Sequence, residues 1–211
     1  MNSGRRRSPA RGQGREALVT VAAELFAHKP YDDIFISDIA DVAGVAHGLL
    51  FYHFKDKRGL YLAVLERVMS EDQQRHQPRE DEDTLEKQLR GLISRHIEYR
   101  RDNPLTMLAM MRAGGQDPEI DALFERGRRE GTEFLLALLG VDDQPGPRLR
   151  VAIRGLIGMV DEAARDWLTH DCDLEVAEFV QLLYTATVAV LNELRHTHKN
   201  IAAVADELSP H

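Results

Sequence analysis

Apolar residues recur along most of the chain with the spacing of one helix face, which predicts an all-α protein. In the first long segment, Leu18, Val21, Ala22, Leu25 and Phe26 follow the i, i+3, i+4, i+7, i+8 rule. Similar segments continue to about residue 197, separated by proline, glycine and charged turns. No segment alternates convincingly with the period of two that is typical of a strand. We therefore expect about nine helices.

Residues 36–54, ISDIADVAGVAHGLLFYHF, have the pattern of a helix-turn-helix. Ile39 and Ala40 lie on the inner face of a short helix, Gly44 permits a tight turn, and Val45 packs between the two helices. The second helix of such a pair enters the major groove of DNA with its N-terminal end at the base edges. The segment therefore predicts DNA binding.

The same part of the chain resembles the DNA-binding domain of the TetR family of transcriptional regulators. The matching residues are Ala22-Ala23-Glu24-Leu25-Phe26, Asp38-Ile39-Ala40, Ala43-Gly44-Val45 and Tyr52-His53-Phe54, followed by Lys57 and Leu60. The resemblance implies a DNA-binding domain at 14–56 and an all-helical effector-binding and dimerisation domain at 57–211. It also implies a homodimer whose partners are an operator in double-stranded DNA and a small-molecule effector.

By matching position, the resemblance assigns DNA contacts to Ser37, Ala46, His47, Gly48, Leu49, Tyr52, His53, Lys55 and Lys57. The family commonly has a hydroxyl residue where this chain has Phe35 and Ala46, so two helix caps are expected to be weaker by about 1 kcal/mol each. Leu49 either reads a thymine methyl group or packs internally. His53 is either a phosphate donor or a half-buried histidine, and both lysines have the alternative of being solvated charges. Phe51 and Phe54 are assigned to the core.

Charge is distributed unevenly along the chain. Residues 1–60 contain nine Lys/Arg and seven Asp/Glu, whereas all 211 residues contain 27 and 35, for a net charge of −8. A basic end on an acidic chain is typical of a nucleic-acid-binding module joined to another domain. Residues 1–13 combine arginines with Ser, Gly and Pro, which predicts a disordered basic arm. This arm either touches DNA or only aids solubility.

Two late segments predict a dimer interface. Residues 179–191 contain no charged residue, and residues 151–164 are also largely apolar, with two glycines that permit close backbone approach. A helix that is apolar on all sides is buried or pairs with a partner, so the alternative is a monomeric core. The expected interface residues are Leu156, Val160, Phe179, Leu183, Thr187, Val190 and Leu191.

A mostly apolar effector pocket is expected within residues 84–170, where three of the six methionines cluster. Its expected lining is Ile93, Ile97, Met107, Met110, Met111, Phe124, Phe134, Met159 and Trp167, with His96, Tyr99 or Arg95 as polar anchors. Ordinary core packing is the alternative for each of these residues.

Several classes of protein are disfavoured. The single Cys172 excludes a disulfide framework and a Cys-rich zinc site. There is no run of 18 apolar residues and no apolar stretch behind the basic first residues, so we expect a cytoplasmic protein. No phosphate-binding glycine loop, HExxH or GxSxG motif occurs, so no enzyme activity, cofactor or metal is expected. His196 and His198, two residues apart, do not share a helix face and make a poor metal site with His170.

The sequence thus predicts a ligand-responsive repressor that binds operator DNA as a homodimer and is released by a small, mostly apolar effector. One alternative is a helical small-molecule sensor that has lost sequence-specific DNA binding, because the capping hydroxyls are missing. Another is an all-α enzyme that keeps the hairpin as a scaffold. The arginines of the first 15 residues, with Lys55 and Lys57, argue against both.

Overall fold

The computed structural model describes residues 13–112, 117–142 and 144–208, and these residues confirm the all-α fold. The helices are α1 (Gln13–His28), α2 (Ile36–Val42), α3 (His47–Phe54), α4 (Lys57–Gln74), α5 (Leu85–Asp102), α6 (Pro104–Arg112), α7 (Pro118–Leu138), α8 (Pro147–Thr169), α9 (Val176–Glu193) and α10 (Lys199–Glu207). A 3-10 turn, Tyr31–Asp33, separates α1 from α2. The described residues thus hold ten α-helices, one more than expected. The additional helix is α10, and the predicted arm 1–13 lies outside the described residues except for residue 13.

Residues up to Val68 form the first of two compact units. Helices α1, α2 and α3 pack against one another, and Leu18, Ile39 and Leu50 are fully buried between them. The apolar periodicity of the sequence therefore gives the correct buried face for each of these helices.

The turn between α2 and α3 is closed by backbone hydrogen bonds around a glycine. Gly44 has a φ of 66°, in the left-handed region that favours glycine. Its N–H donates to the Asp41 carbonyl, and the Val45 N–H donates to the Ala40 carbonyl, at 3.2 and 3.1 Å. This is a Schellman motif, which ends α2 and sets the direction of the chain into α3.

Residues from Met69 form the second unit. Within it α5 packs on α9, α7 on α8, α6 on α8 and α10 on α9. The most deeply buried large side chains are Leu89, Ile97, Met107, Leu139, Leu149 and Ile153. In the described residues, no helix is long and apolar enough to cross a membrane.

Side-chain caps fix several helix starts. Asp56 accepts a hydrogen bond from the Gly59 N–H at 2.7 Å and caps the start of α4. Asp117 immediately precedes Pro118, and its side chain accepts hydrogen bonds from the Glu119 and Ile120 N–H groups at the start of α7. Thr84 caps α5, since its hydroxyl accepts from the Lys87 N–H at 3.3 Å. The Asp83 carboxylate pairs with the Lys87 ammonium group at 2.8 Å.

Candidate functional site

The exposed face of α3 forms the candidate DNA-reading surface, which we define as His47, Gly48, Phe51 and Tyr52. All four residues are exposed, and Tyr52 is exposed over 70% of its surface. A Cβ added to Gly48 would meet nothing within 4 Å, so backbone can approach a partner closely here. The His47 imidazole lies 3.4 Å from the Asp41 carboxylate. This surface combines groups that can donate or accept hydrogen bonds with an aromatic face.

Phe51 was wrongly assigned to the core. The buried side of α3 runs through Leu50 and Phe54, whereas Phe51 is 51% exposed and lies beside Tyr52. Since Leu50 and Phe54 are four residues apart, they occupy one helix face and leave Phe51 turned away from it. Phe35 and Val42 are also exposed apolar residues in the same unit.

Two predicted contacts are less accessible than the reading surface. A Cβ at Gly14 would lie 2.6 Å from Leu49 Cδ2, so Leu49 packs against the start of α1 rather than standing free. His53 is half-buried, and its Nε2 is buried without a hydrogen-bond partner among the described residues. Its ring lies 5.0 Å from the Tyr52 ring. For both residues the structure therefore favours the internal alternative.

The short helices begin without side-chain caps, as the sequence predicts. Phe35 precedes α2 and Ala46 precedes α3, and neither side chain caps its helix. Ser37 is exposed and its hydroxyl donates to the neighbouring Asp38 carboxylate. The first backbone N–H groups of α3 are therefore left to water or to an acceptor such as DNA phosphate.

The two lysines after α3 occupy different surroundings. Lys55 is exposed and ends α3 with a φ of 66°. Lys57 begins α4 and is half-buried, because its ammonium group lies 4.1 Å from the centroid of the Tyr31 ring. Lys55 is free to move toward a phosphate, whereas Lys57 is held in place by a cation–π contact.

A cavity with about 100 Å³ of interior space, partly open to solvent, lies inside the second unit. Ten of its lining residues are Met, Leu, Ile, Val or Phe, and they come from α4, α5, α7 and α8. These are Met69, Leu89, Leu92, Ile93, Phe124, Phe134, Leu135, Leu156, Ile157 and Val160. Apolar walls with a few polar groups at one end are typical of a small-molecule site.

The expected pocket lining is correct in part. Ile93, Phe124 and Phe134 line the cavity, and so does the expected anchor His96. Ile97, Met107, Met159 and Trp167 are not among its lining residues. Ile97 and Met107 are instead fully packed core residues, and the Trp167 indole packs on Phe179 while its N–H donates to the Leu174 carbonyl. The side chains of Met110 and Met111 lie outside the described part of the chain.

A buried ionic network crosses one end of the cavity. The Arg100 guanidinium donates to the Asp161 carboxylate at 2.6 Å and to the His96 imidazole, and lies 3.5 Å from Asp72. Arg128 donates to the other oxygen of Asp161 at 2.7 Å. Because a guanidinium only donates, His96 Nε2 is the acceptor, and His96 Nδ1–H donates to Asp72 at 3.1 Å.

Of the two other expected anchors, neither lines the cavity. Arg95 is buried against Glu82, and the Tyr99 hydroxyl donates to the Glu71 carboxylate at 3.1 Å. Burial and the nearby Glu71 charge raise the pKa of Tyr99. Both residues are therefore occupied by partners within the second unit.

Two groups of the network have displaced pKa values. Burial would raise the pKa of Asp72, but the His96 imidazole and the Arg100 guanidinium lower it to about 2. Burial and the neighbouring His96 lower the pKa of His76 to about 4, against the opposing effect of Asp72. At neutral pH the cavity therefore presents an ionised Asp72 and an uncharged His76.

Asp72, His76 and His96 are the residues whose positions suggest a metal site, since their ligand atoms lie within 4.8 Å of one another. Their chemistry does not fit. His96 Nε2 accepts from Arg100 and His96 Nδ1 faces Asp72, which leaves no lone pair for a metal ion. The Arg100 guanidinium also places a positive charge beside Asp72. The cluster is therefore better described as a hydrogen-bonded network than as a metal centre.

Most of the expected interface residues are buried within the single chain. Leu156, Phe179, Leu183, Thr187 and Leu191 are at most 5% exposed within a single chain, so no surface of theirs is left for a partner. Leu156, Val160 and Thr187 line the cavity instead, and Val190 is half-buried. On the outer side of α8 and α9, Val151 and Leu182 are 61% and 59% exposed.

The sequence interpretation missed most of the polar end of the cavity, although two patterns pointed toward it. Asp161 is an acidic residue within a mainly apolar helix, and such a residue needs a buried cationic partner. Gly127 and Gly131 stand four residues apart in α7 and leave space on one face, where Gly127 is covered by the Met69 methyl group. The ion pairs between helices join residues that are far apart in the sequence, so no local sequence pattern could have predicted them.

Two family models match the chain. Residues 18–64 match the model described as bacterial regulatory proteins of the tetR family, and residues 85–190 match the tetracyclin repressor-like C-terminal domain. This chain belongs to the TetR family of transcriptional regulators. A TetR-family regulator binds DNA through its helix-turn-helix and responds to a ligand in its C-terminal domain, and this is the class of function of this protein.

Curated relatives of this TetR-family regulator are also regulators of transcription. It is 27% identical over 165 residues to the HTH-type transcriptional activator FasR of Mycolicibacterium smegmatis. The aligned residues cover 76% of this chain and 75% of the relative. It is 23% identical over 168 residues to the fatty acid metabolism regulator protein of Bacillus subtilis, with coverages of 73% and 83%.

Solved structures share the fold. A TetR-family regulator from Streptomyces coelicolor superposes with a TM-score of 0.82 at 24% identity, over 92% of this chain and 87% of that one. FadR from B. subtilis in complex with stearoyl-CoA gives a TM-score of 0.59 at 21% identity, over 83% and 96% of the two chains.

Proposed function

We propose that this TetR-family regulator is a repressor that binds its operator as a homodimer and is released when a small, mostly apolar molecule occupies the cavity. The observation that carries the proposal is the cavity itself, which has ten apolar lining residues and one polar end. In this proposal residues 14–56 read DNA, and residues 57–211 bind the effector and the second subunit. Residues 1–13 form a basic arm.

The exposure of the reading surface supports its role in base contact. His47 and Gly48 lie at the first turn of α3, where a recognition helix reaches base edges. Tyr52 contacts phosphate in this proposal, together with Lys55 and Lys57. Ser37, Ala46, Leu49 and His53 then act mainly by positioning α2 and α3, since Leu49 and His53 are partly buried.

The outer face of α8 and α9 supports dimerisation. Val151 and Leu182 are large exposed apolar residues, and Gly155, Thr185 and Ala189 are small exposed neighbours on the same helices. Small residues let two helix pairs approach closely in a four-helix interface about a two-fold axis. A dimer places two recognition helices in successive major grooves, roughly 34 Å apart.

Release from DNA requires that the effector bind the DNA-incompetent form more tightly, with a coupling of typically 1–3 kcal/mol. The apolar walls favour a ligand with a hydrocarbon body. One relative is a fatty acid metabolism regulator of B. subtilis, and one similar structure is FadR of B. subtilis in complex with stearoyl-CoA. Molecules with long alkyl chains are therefore the first class of effector to test.

The decisive experiment is fluorescence anisotropy of the purified protein on the DNA upstream of its own coding region, across a salt series and against random DNA. We expect tight binding that survives the competitor, with two protein chains per site, and loss of binding on addition of the effector. In vitro transcription from the same fragment then tests repression directly. Weak binding to every fragment in a genome-wide selection would instead support the alternative of a sensor without sequence-specific DNA binding.

A further inference from the structure

His76 is the polar residue of the cavity whose hydrogen-bonding capacity remains unused. It lies just after α4, is only 8% exposed, and lines the cavity. Its ring contacts are to the rings of His96 and Phe134, at 5.6 and 5.5 Å between centroids. Within the described residues its ring nitrogens have no hydrogen-bond partner. A ligand that enters the cavity can therefore form hydrogen bonds with these nitrogens.

The other polar residues that line the cavity have hydrogen-bond partners, although the Nε–H of Arg100 is buried without one among the described residues. Asp72 pairs with His96 and Arg100, and Asp161 pairs with Arg100 and Arg128. The two remaining groups are uncharged, and each donates to a partner: Gln73 to the Glu130 carboxylate and Thr187 to the Leu183 carbonyl. A ligand that enters the cavity therefore meets His76 as an imidazole with both ring nitrogens available, beside the single unpartnered N–H of Arg100.

The charges around His76 are balanced before any ligand binds. From α4 it faces Asp72, and from α5 it faces Arg95, His96 and Arg100. Arg95 is paired with Glu82, and both guanidinium groups that line the cavity are paired with carboxylates. A ligand carboxylate would thus lose its hydration beside guanidinium groups whose charge is already compensated, and it would lie near Asp72 and Asp161.

We propose that the effector carries an uncharged hydrogen-bonding group, such as a hydroxyl, ester or amide, which binds His76, and that this cavity discriminates against free carboxylates. The inference rests on the proposed function, because it assumes that the cavity is the effector site. His76 is the specificity-determining residue: its neutral imidazole offers one N–H donor and one acceptor nitrogen. The pKa of about 4 for His76 is consistent with this, since the ring stays uncharged at neutral pH.

The test compares two probes of equal chain length, 1-decanol and decanoate, by isothermal titration calorimetry on the full-length protein at pH 7.5. We expect 1-decanol to bind at least about tenfold more tightly, because a carboxylate pays a desolvation cost that a hydroxyl does not. His76→Leu should weaken 1-decanol binding about fivefold, the effect of one lost hydrogen bond. His76→Gln keeps an uncharged donor and acceptor and should restore most of the affinity.

A blocked cavity separates this inference from the proposed function. A Cβ at Gly131 would lie 3.9 Å from the Ile157 side chain and is not strained, so Gly131→Leu fills the cavity from α7. It should abolish binding of both probes, whereas Ala122→Leu at an exposed position of the same helix should leave binding unchanged.

If the wild-type protein binds neither probe, or if Gly131→Leu binds them as well as wild type does, the cavity is not the effector site and the proposed function fails. If Gly131→Leu blocks binding but decanoate binds as tightly as 1-decanol, the inference about the uncharged group is wrong. Unchanged affinity for 1-decanol in a folded His76→Leu protein would equally overturn the role of His76.

Discussion

The Arg100 guanidinium and the Asp161 carboxylate form a hydrogen-bonded ion pair of 2.6 Å that joins α5 to α8, and both residues are at most 5% exposed. The Asp161 carboxylate also accepts a hydrogen bond from Arg128 of α7, so this one side chain connects three helices. Because the pair lies at the edge of the cavity, its integrity sets the shape of the cavity as well as the stability of the second unit.

Asp161→Ala should destabilise the second unit by about 3–5 kcal/mol, because it leaves two guanidinium groups without their buried partner. Urea denaturation followed by circular dichroism measures this loss. Glu162→Ala removes the neighbouring exposed pair with Arg165 and serves as the control, with no measurable change expected. Equal midpoints for the two variants would contradict the structural role of Asp161.

Stability should fall as the pH is lowered from about 6.5 to about 4. Burial and the nearby His96 lower the pKa of His76 from 6.5 to about 4, so the unfolded chain binds a proton in this range and the folded chain does not. The folded state is therefore disfavoured by about 3 kcal/mol at the acidic end. Urea denaturation at a series of pH values measures the slope, and His76→Gln should remove this part of it.

A restored cap should stabilise the recognition helix. Ala46 precedes α3 with a φ of −67° and a ψ of 137°, the extended geometry of an N-cap, but it has no acceptor in its side chain. Ala46→Ser should raise the stability of the first unit by about 1 kcal/mol, and Thr84→Ala should lower that of the second unit by a similar amount. Thermal unfolding checks both, and a destabilised Ala46→Ser protein would show that Ala46 is needed for packing.

Replacing Lys57 should weaken binding to all DNA sequences alike. If Lys57 contacts a phosphate, Lys57→Ala reduces the slope of log affinity against log salt by about one, because one fewer counterion is released. Anisotropy titrations across a salt series give this slope. Lys199→Ala, at an exposed position in the second unit, is the control and should leave it unchanged. A folded Lys57→Ala protein with the wild-type slope would remove Lys57 from the contact.

A charge on the outer face of α9 should separate the proposed dimer. Leu182 is 59% exposed, so Leu182→Glu is tolerated by the single chain but places a charge within the apolar interface. Sedimentation velocity should show a monomer, whereas Ala137→Glu on the exposed side of α7 should remain a dimer. Leu183→Glu is expected to unfold the chain instead, since Leu183 is 2% exposed.

The sequence by itself determined the helices of the first unit, the tight turn at Gly44 and the missing caps at Phe35 and Ala46. These features depend on the spacing of apolar residues, the conformational freedom of glycine and the chemistry of one or two side chains. All three can be recognised within a short stretch of consecutive residues. The sequence also indicated an apolar effector site, because methionine and aromatic residues were frequent in the middle of the chain.

Only the tertiary structure decided which side of each C-terminal helix faces inward. Helices α8 and α9 are apolar on more than one side, so periodicity alone could not separate Leu183, which is buried, from Leu182, which is exposed. The network of Asp72, His96, Arg100 and Asp161 joins residues up to about 90 positions apart, and no local pattern encodes such a pairing. The cavity follows from that packing: it is a property of how α4, α5, α7, α8 and α9 meet, and only its burial there, next to His96, lowers the pKa of His76.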